Sequence, residues 1–280
     1  MILPASRPRR DPITDYDTAR SRRKANATKQ TLLAARAEVL NAYSEYIGSG
    51  GSSSKLSPLS FADETIMALK SNYDLTYASG PLADLRDDIL TTAFNGRCPM
   101  CGERQASTLD HYLPRDKYPE FSILALNLIP ACMDCNHRKS NFTSAGNGGR
   151  FVHAYLDEID ATLQVLEVYI DAVDDVLVID FDVNSELPQE LYANLAVQFE
   201  QLRLAEFYSW AATEELIQRH ESFREAFYDK GHEEVSRVAH AHGQKLRDTY
   251  GSHYWKVALY RAVEHNSEFC RGAFELLMRD

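Results

Sequence analysis

Apolar residues recurring at three- and four-residue steps set the first part of the pattern. Leu32, Leu33, Val39, Leu40, Tyr43 and Ile47 predict a helix over 28–47. It ends at 48–54, Gly-Ser-Gly-Gly-Ser-Ser-Ser, which has the composition of a flexible linker. Shorter helices are predicted at 62–71 and 82–94. Further on the period changes to two. Val165, Val168 and Tyr169 within 162–170, and Val176, Val178, Ile179 and Phe181 within 175–183, predict two strands flanking an Asp-rich turn. From Pro188 onward the helical period returns, with Leu191, Leu195, Phe199 and Leu202 on one face. No internal repeat interrupts this order. The expected fold class is α+β, mostly helical, with helical regions at both ends of a middle stretch that follows neither period.

Composition bounds the picture. The chain has 280 residues, 44% of them apolar and 10% aromatic, enough for one large domain or two small ones and too much for a disordered chain. No run approaches the roughly 18–20 apolar residues that span a bilayer, and 1–10 holds no apolar stretch of signal-peptide type. The expectation is a cytoplasmic protein with no membrane partner. The net charge of −11 hides a division along the chain. Residues 1–30 carry eight basic side chains and three acids, whereas 151–200 carry twelve acids and no Lys or Arg. A dense anion such as DNA would be repelled by the second segment. That segment is therefore either a solvated face or a docking surface for a basic protein partner. The basic start is either a DNA-contacting arm or a charged disordered terminus.

Cysteine spacing carries the most specific signal. Cys98-Pro-Met-Cys101 and Cys132-Met-Asp-Cys135 are two C-x2-C pairs separated by 30 residues. A two-residue gap lets both thiolates of a pair face one ion, and two pairs complete a tetrahedral zinc site. With all four positions filled by sulfur, that zinc is expected to be structural. Gly96 and Gly102 suit the tight turns of such knuckles. The fifth cysteine, Cys270, falls in the helical C-terminal region and reads as a small core residue.

Inside the spacer lie Thr108-Leu-Asp-His-Tyr-Leu-Pro114 and Leu126-Asn-Leu-Ile-Pro130, and the second pair runs into Asn136-His-Arg-Lys139. C-x2-C, Asp-His-x-x-Pro, Asn-Leu and C-x2-C-Asn-x-x-Lys in this order resemble the HNH endonucleases, specifically the four-cysteine, zinc-containing ββα-metal type, over about 45 residues. The resemblance implies a zinc-stapled, treble-clef-like ββα-metal core. It implies His111 as the general base that deprotonates the attacking water, a task suited to an imidazole. It makes Asp110 and Asn136 the ligands of a single catalytic Mg²⁺ or Mn²⁺. Asn127 would fix the loop and the imidazole, and Lys139 would contact phosphate or stabilise charge. The third signature position holds Asn136 where many members have His, and Tyr112 stands in place of a small aliphatic residue. His137 is an alternative ligand, but as the helical neighbour of one it points about 100° away. The string from His111 to Ser122, followed by Phe151-Val-His-Ala-Tyr-Leu156, also resembles a bacterial subgroup encoded beside ATPases in phage-defence operons. His153 in that stretch reads as structural.

The organisation that follows is a basic arm and helical region at 1–94 with the linker at 48–54, a nuclease core at 95–150, and an acidic hairpin with a helical region at 151–280. The function expected is hydrolysis of DNA phosphodiesters to 5'-phosphate and 3'-hydroxyl ends, as effector of an anti-phage defence system with a protein partner, an ATPase by the resemblance. The alternatives are a zinc module that binds nucleic acid or a partner without cutting, and a nuclease directed at RNA.

Overall fold

The structure, a computed structural model, describes residues 3–146 and 148–278. It is α+β and mostly helical, with two small sheets. The chain divides into two compact units, Pro4–Glu158 and the residues from Ile159 onward. Among the described residues no helix is long and apolar enough to cross a membrane.

The first unit begins with helices α1 (Pro12–Ser21), α2 (Asn26–Ser49), α3 (Asp63–Ser71) and α4 (Ala83–Thr91). Asp11 caps α1, its carboxylate accepting from the backbone N–H groups of Ile13 and Thr14, with Pro12 at the first helical position. Strands β1 (Thr108–His111) and β2 (Leu128–Ala131) pair antiparallel, with Asp110 opposite Ile129 and His111 opposite Leu128. Helix α5 (Met133–Lys139) follows at once. One apolar cluster joins Ala19 of α1, Leu85 and Ile89 of α4, Leu109 of β1 and Leu128 of β2. The N-terminal helices therefore complete the core on which the two short strands rest.

The basic start is folded. Arg10 pairs with Asp15, Asp84 and Asp88, Arg36 pairs with Asp17, and Arg23 donates to the Ala68 carbonyl, Ser71 and Asn72. These arginines fasten helices together, which overturns the reading of a disordered terminus. Nor is 48–54 a loose tether. Gly50 and Gly51 take positive φ and close the end of α2, the Gly51 N–H donating to the Tyr46 carbonyl at 3.0 Å. A Cβ on Gly51 would lie 2.9 Å from the Tyr46 hydroxyl, so the glycine is required by close packing as well as by φ.

In the second unit, β3 (Leu166–Val173) and β4 (Val176–Val183) form an antiparallel hairpin. Its two-residue turn is Asp174-Asp175, both at positive φ, the geometry that suits the twist of paired strands. Helices α6 (Gln189–Gln201), α7 (Leu204–Lys230), α8 (His232–Tyr250), α9 (Trp255–His265) and α10 (Ser267–Cys270) complete it. Phe181 of β4, Tyr208 of α7 and Trp255 of α9 meet at the centre, the last two stacked at 5.2 Å. Cys270 is buried with its thiol directed at the Val263 carbonyl, as a core residue should be.

His153 is fully buried in the first unit. Its Nδ1 accepts from the Tyr155 N–H at 3.2 Å, so Nε2 carries the proton and donates to the Tyr46 hydroxyl at 3.0 Å. Burial lowers its pKa from 6.5 to about 3. An unfolded histidine takes up a proton first as pH falls, so the folded state has full stability above about pH 6.5 and loses it as pH drops toward 3. The expected loss is at most about 1.4 kcal/mol per pH unit from this group. Equilibrium unfolding at pH 7 and pH 5 of the parent and of His153→Gln checks it: the Gln variant should show the shallower pH slope, and equal slopes would refute the assignment.

Candidate functional site

Two turns build the sulfur cluster. The first is closed by the Cys98 N–H donating to the Arg104 carbonyl at 2.8 Å and the Gly102 N–H donating to the Cys98 carbonyl at 2.8 Å. Gly102 takes φ 73°, a conformation that disfavours a side chain. The second is the start of α5, where the Cys132 sulfur caps the helix by accepting from the Cys135 N–H at 3.4 Å. Cys98, Cys101, Cys132 and Cys135 are all buried, with their sulfurs within 4.8 Å of one another. Four Zn–S bonds of about 2.3 Å put tetrahedral sulfurs about 3.8 Å apart, so the cluster can hold a zinc ion with a small contraction. Burial pushes the Cys98 thiol pKa up, and a bound cation is the natural means of keeping such sulfurs as thiolates.

The cluster sits beside β1 and β2 because Cys132 directly follows β2 and Ser107, just before β1, donates its N–H to the Ala131 carbonyl. Along that ladder the chain delivers Asp110, His111 and Asn136 to one cleft of about 350 Å³. Other lining residues are Tyr73, Tyr77 and Arg86 from outside the cysteine segment and Arg115 from within its spacer.

Each polar group has a defined partner. His111 Nε2 lies 3.0 Å from the Ser122 carbonyl, and its ring packs edge-on against Tyr73 with centroids 4.6 Å apart. Loss of solvation lowers its pKa to about 3, so the ring is neutral. A carbonyl only accepts, hence Nε2 carries the proton and Nδ1 keeps the lone pair. Asp110 is buried, with Oδ2 2.9 Å from Lys139 Nζ but aligned for no hydrogen bond. Burial pushes its carboxyl up against the pull of that ammonium. Asn136 Nδ2 donates to Thr108 Oγ1 at 3.1 Å and to the Leu109 carbonyl at 3.3 Å, which fixes the amide and leaves Oδ1 as its acceptor. Asp110 lines the cleft beside the oriented Asn136 amide oxygen, and a carboxylate with an amide oxygen is a donor set that suits a hard divalent cation, which would share Asp110 with Lys139.

The remaining predicted residues lie behind this wall. Asn127 is fully buried: Oδ1 accepts from the Leu113 N–H at 2.8 Å and the Tyr46 hydroxyl at 3.1 Å, and Nδ2 donates to the Leu113 and Phe121 carbonyls. It therefore holds the segment that ends in the Ser122 carbonyl facing His111. Lys139 is 1% exposed, and besides Asp110 it bonds the His111 carbonyl at 2.7 Å. Its charge is spent on holding the site's own backbone, and no phosphate can reach it there. His137 is exposed on α5 and does not line the cleft. Spacing alone had no means of finding Tyr46, Tyr73, Tyr77 or Arg86, which lie outside the motif and are brought in only by the packing of α2, α4 and the turn after α3. Arg115 follows Pro114 inside the spacer but was given no role by the motif.

No family model matches the chain, and no solved structure does either. A stretch of 80 residues is 36% identical to Protein ea31 of Escherichia phage lambda, covering 28% of this chain and 27% of that protein. The chain thus spans about a quarter of the length of that relative.

The sulfur cluster is open to a direct test. Cys132→Ser removes one ligand from a buried four-sulfur site, and the expected result is loss of bound zinc with a lower melting temperature and poor solubility. Metal analysis of the purified parent should give one zinc per chain, and a parent purified without zinc would show the cluster to be something else.

Proposed function

We propose that the chain is a metal-dependent endonuclease of the four-cysteine HNH type that hydrolyses DNA phosphodiesters. The observation that carries the reading is the meeting of Asp110, His111 and Asn136 in one cleft, with the His111 Nδ1 lone pair left over after Nε2 is committed to Ser122. The order β1, β2, α5 beside four clustered cysteines supports a ββα-metal core. The partial likeness to a phage protein is compatible with a role in phage defence and carries no chemistry of its own.

The mechanism follows from what each group can do. His111, neutral and oriented, accepts a proton from water at Nδ1 as the water attacks phosphorus. Burial leaves the imidazole unprotonated at working pH and therefore free to accept, at the cost of a lower basicity than a solvated imidazole has. Asp110 and Asn136 would hold Mg²⁺ or Mn²⁺, which supplies charge stabilisation at the phosphate and the leaving 3' oxygen. Asn127 positions the Ser122 segment and so the imidazole, while Lys139 ties Asp110 to the backbone of β1. The sulfur-bound zinc serves as scaffold.

A protein partner remains part of the proposal. The outward face of the hairpin carries Glu167, Tyr169 and Asp171 on β3 and Val178, Asp180 and Asp182 on β4, with Glu167 directly opposite Asp182. Like charges across a ladder cost stability, and a basic surface, in the proposal that of an ATPase partner such as the resemblance implies, would relieve the cost. Co-purification of that partner with the parent and with the Asp180→Asn, Asp182→Asn double variant tests the surface. Capture should fall severalfold in the variant, and equal capture would count against this face.

Cleavage itself is tested with plasmid DNA and Mg²⁺, Mn²⁺ or EDTA. The parent should cut with either metal and not with EDTA. His111→Ala should fall by at least about 100-fold, the usual contribution of a positioned base, while keeping its zinc and its melting profile. A His111→Ala protein cutting at the parent rate would remove the base from the mechanism, and a parent that binds DNA without cutting under every metal would favour a binding module.

A further inference from the structure

The wall of the cleft that faces Asp110 and His111 is made by residues the proposed chemistry does not use. Tyr73 is buried, donates its hydroxyl to the Leu109 carbonyl at 3.3 Å, and meets His111 edge-on. Tyr77 follows one turn later with its ring 5.7 Å from that of Tyr73, and it is 50% exposed. Three rings thus step outward from the imidazole to solvent. The Arg115 guanidinium lies over the Tyr73 ring at 5.1 Å, and Arg86 donates to the Ser107 carbonyl at 2.8 Å on the same cleft.

The turn that carries Tyr77 is locked. The Gly80 N–H donates to the Tyr77 carbonyl at 2.8 Å and the Leu82 N–H to the Leu75 carbonyl at 2.9 Å. A Cβ at Gly80 would sit 2.2 Å from the Leu75 carbonyl oxygen, so the turn tolerates glycine alone. An aromatic ring half in solvent on a fixed backbone loses little entropy when something stacks on it. Exposed aromatic faces interleaved with arginines are the arrangement that binds unpaired nucleotides, whose bases are free to stack, whereas the bases of a duplex already stack on one another. The cleft's volume of about 350 Å³ also suits a nucleotide unit more than the width of a duplex.

We propose that the substrate of this cleft is a single-stranded DNA segment, with Tyr77 stacking a base beside the scissile phosphate and Arg86 and Arg115 bracketing the backbone. The inference deepens the nuclease reading and rests on it for the word scissile. The strand would enter over Tyr77 and pass Arg115, placing a phosphate against the Asp110, His111 and Asn136 side of the cleft.

Binding is measured apart from cleavage, with the full-length zinc-loaded His111→Ala protein and a fluorescein-labelled 20-nucleotide single strand or its blunt duplex, by anisotropy at fixed salt. The single strand should bind at least about tenfold tighter than the duplex. Adding Tyr77→Ala should cost about tenfold in single-strand affinity and little on the duplex, within the range one base–aromatic stack supports. Tyr77→Phe keeps the ring and should bind as the parent does, which separates stacking from any effect of the hydroxyl. Arg115→Ala should weaken binding and flatten the dependence on log salt by about one unit. Equal affinity for both DNA forms, or a Tyr77→Ala protein that binds the single strand as well as its parent, would overturn the proposal. If Tyr77-dependent single-strand binding is found and the unmutated chain cuts nothing with any metal, the strand assignment survives and the nuclease reading fails. If the chain cuts duplex plasmid and Tyr77→Ala leaves cutting and binding unchanged, the nuclease reading survives and the strand assignment fails.

Discussion

Two strands of four residues each cannot hold themselves together in water, because so short a pair gains too little from its few hydrogen bonds and buries too little surface to offset the ordering of its backbone. Yet β1 carries Asp110 and His111, and its pairing with β2 fixes where they point. The site therefore depends on what clamps the pair from outside. At one end the four sulfurs tie the turn before β1 to the start of α5. At the other, Asn127 closes the loop between the strands with three hydrogen bonds and ties it to α2 by a fourth, from the Tyr46 hydroxyl. Beneath them, Leu109 and Leu128 enter the core shared with α1 and α4. A metal ion held by the four sulfurs would close a long loop and so act largely by restricting the unfolded chain. The apolar core and the Asn127 network act on the folded one.

A second constraint concerns charge. Asp110, His111 and Lys139 are brought within a few ångströms of each other, and two of them are buried. A lone buried carboxylate would be expensive, and in the proposed nuclease an exposed lysine would compete for the phosphate. Burying Lys139 against Asp110 resolves both by neutralising the pair inside the wall. The cleft then presents to solvent a neutral imidazole, an amide, two arginines set further out and the Asp116 carboxylate, which is paired with Lys70.

Much of the order of elements was legible in the chain because periodicity reports which face is buried. The helix predicted at 28–47 is α2, and the strands predicted at 162–170 and 175–183 are β3 and β4, shifted by a few residues where Val173 and Val176 extend the pairing up to the turn. The cysteine pairs were legible because metal geometry fixes their spacing. Composition misled where local chemistry was overruled by packing. Gly50 and Gly51 read as flexible, yet both sit in the left-handed region where α2 ends, and at Gly51 Tyr46 and His153 also leave no room for a Cβ. The arginines of 1–30 read as a free basic arm, yet their partners Asp84, Asp88, Ser71 and Asn72 lie more than 40 residues on in the chain.

The site itself was half legible. Motif spacing nominates side chains that share a ladder and a helix, as Asp110, His111 and Asn136 do, but says nothing of a wall contributed by another part of the chain. Tyr73 reaches His111 because the turn after α3 folds over β1, a contact across 38 positions that no local pattern encodes. The same distinction separates roles within the motif. Asn127 and Lys139 were nominated alongside His111, but burial sorts them: a group sealed under the wall, with every bond made to its own chain, can shape the cleft and cannot touch what enters it. Burial thus decides which residues position and which can react, and in the proposed reading the rings and guanidinium groups that also line the cleft decide what shape of polymer can reach them.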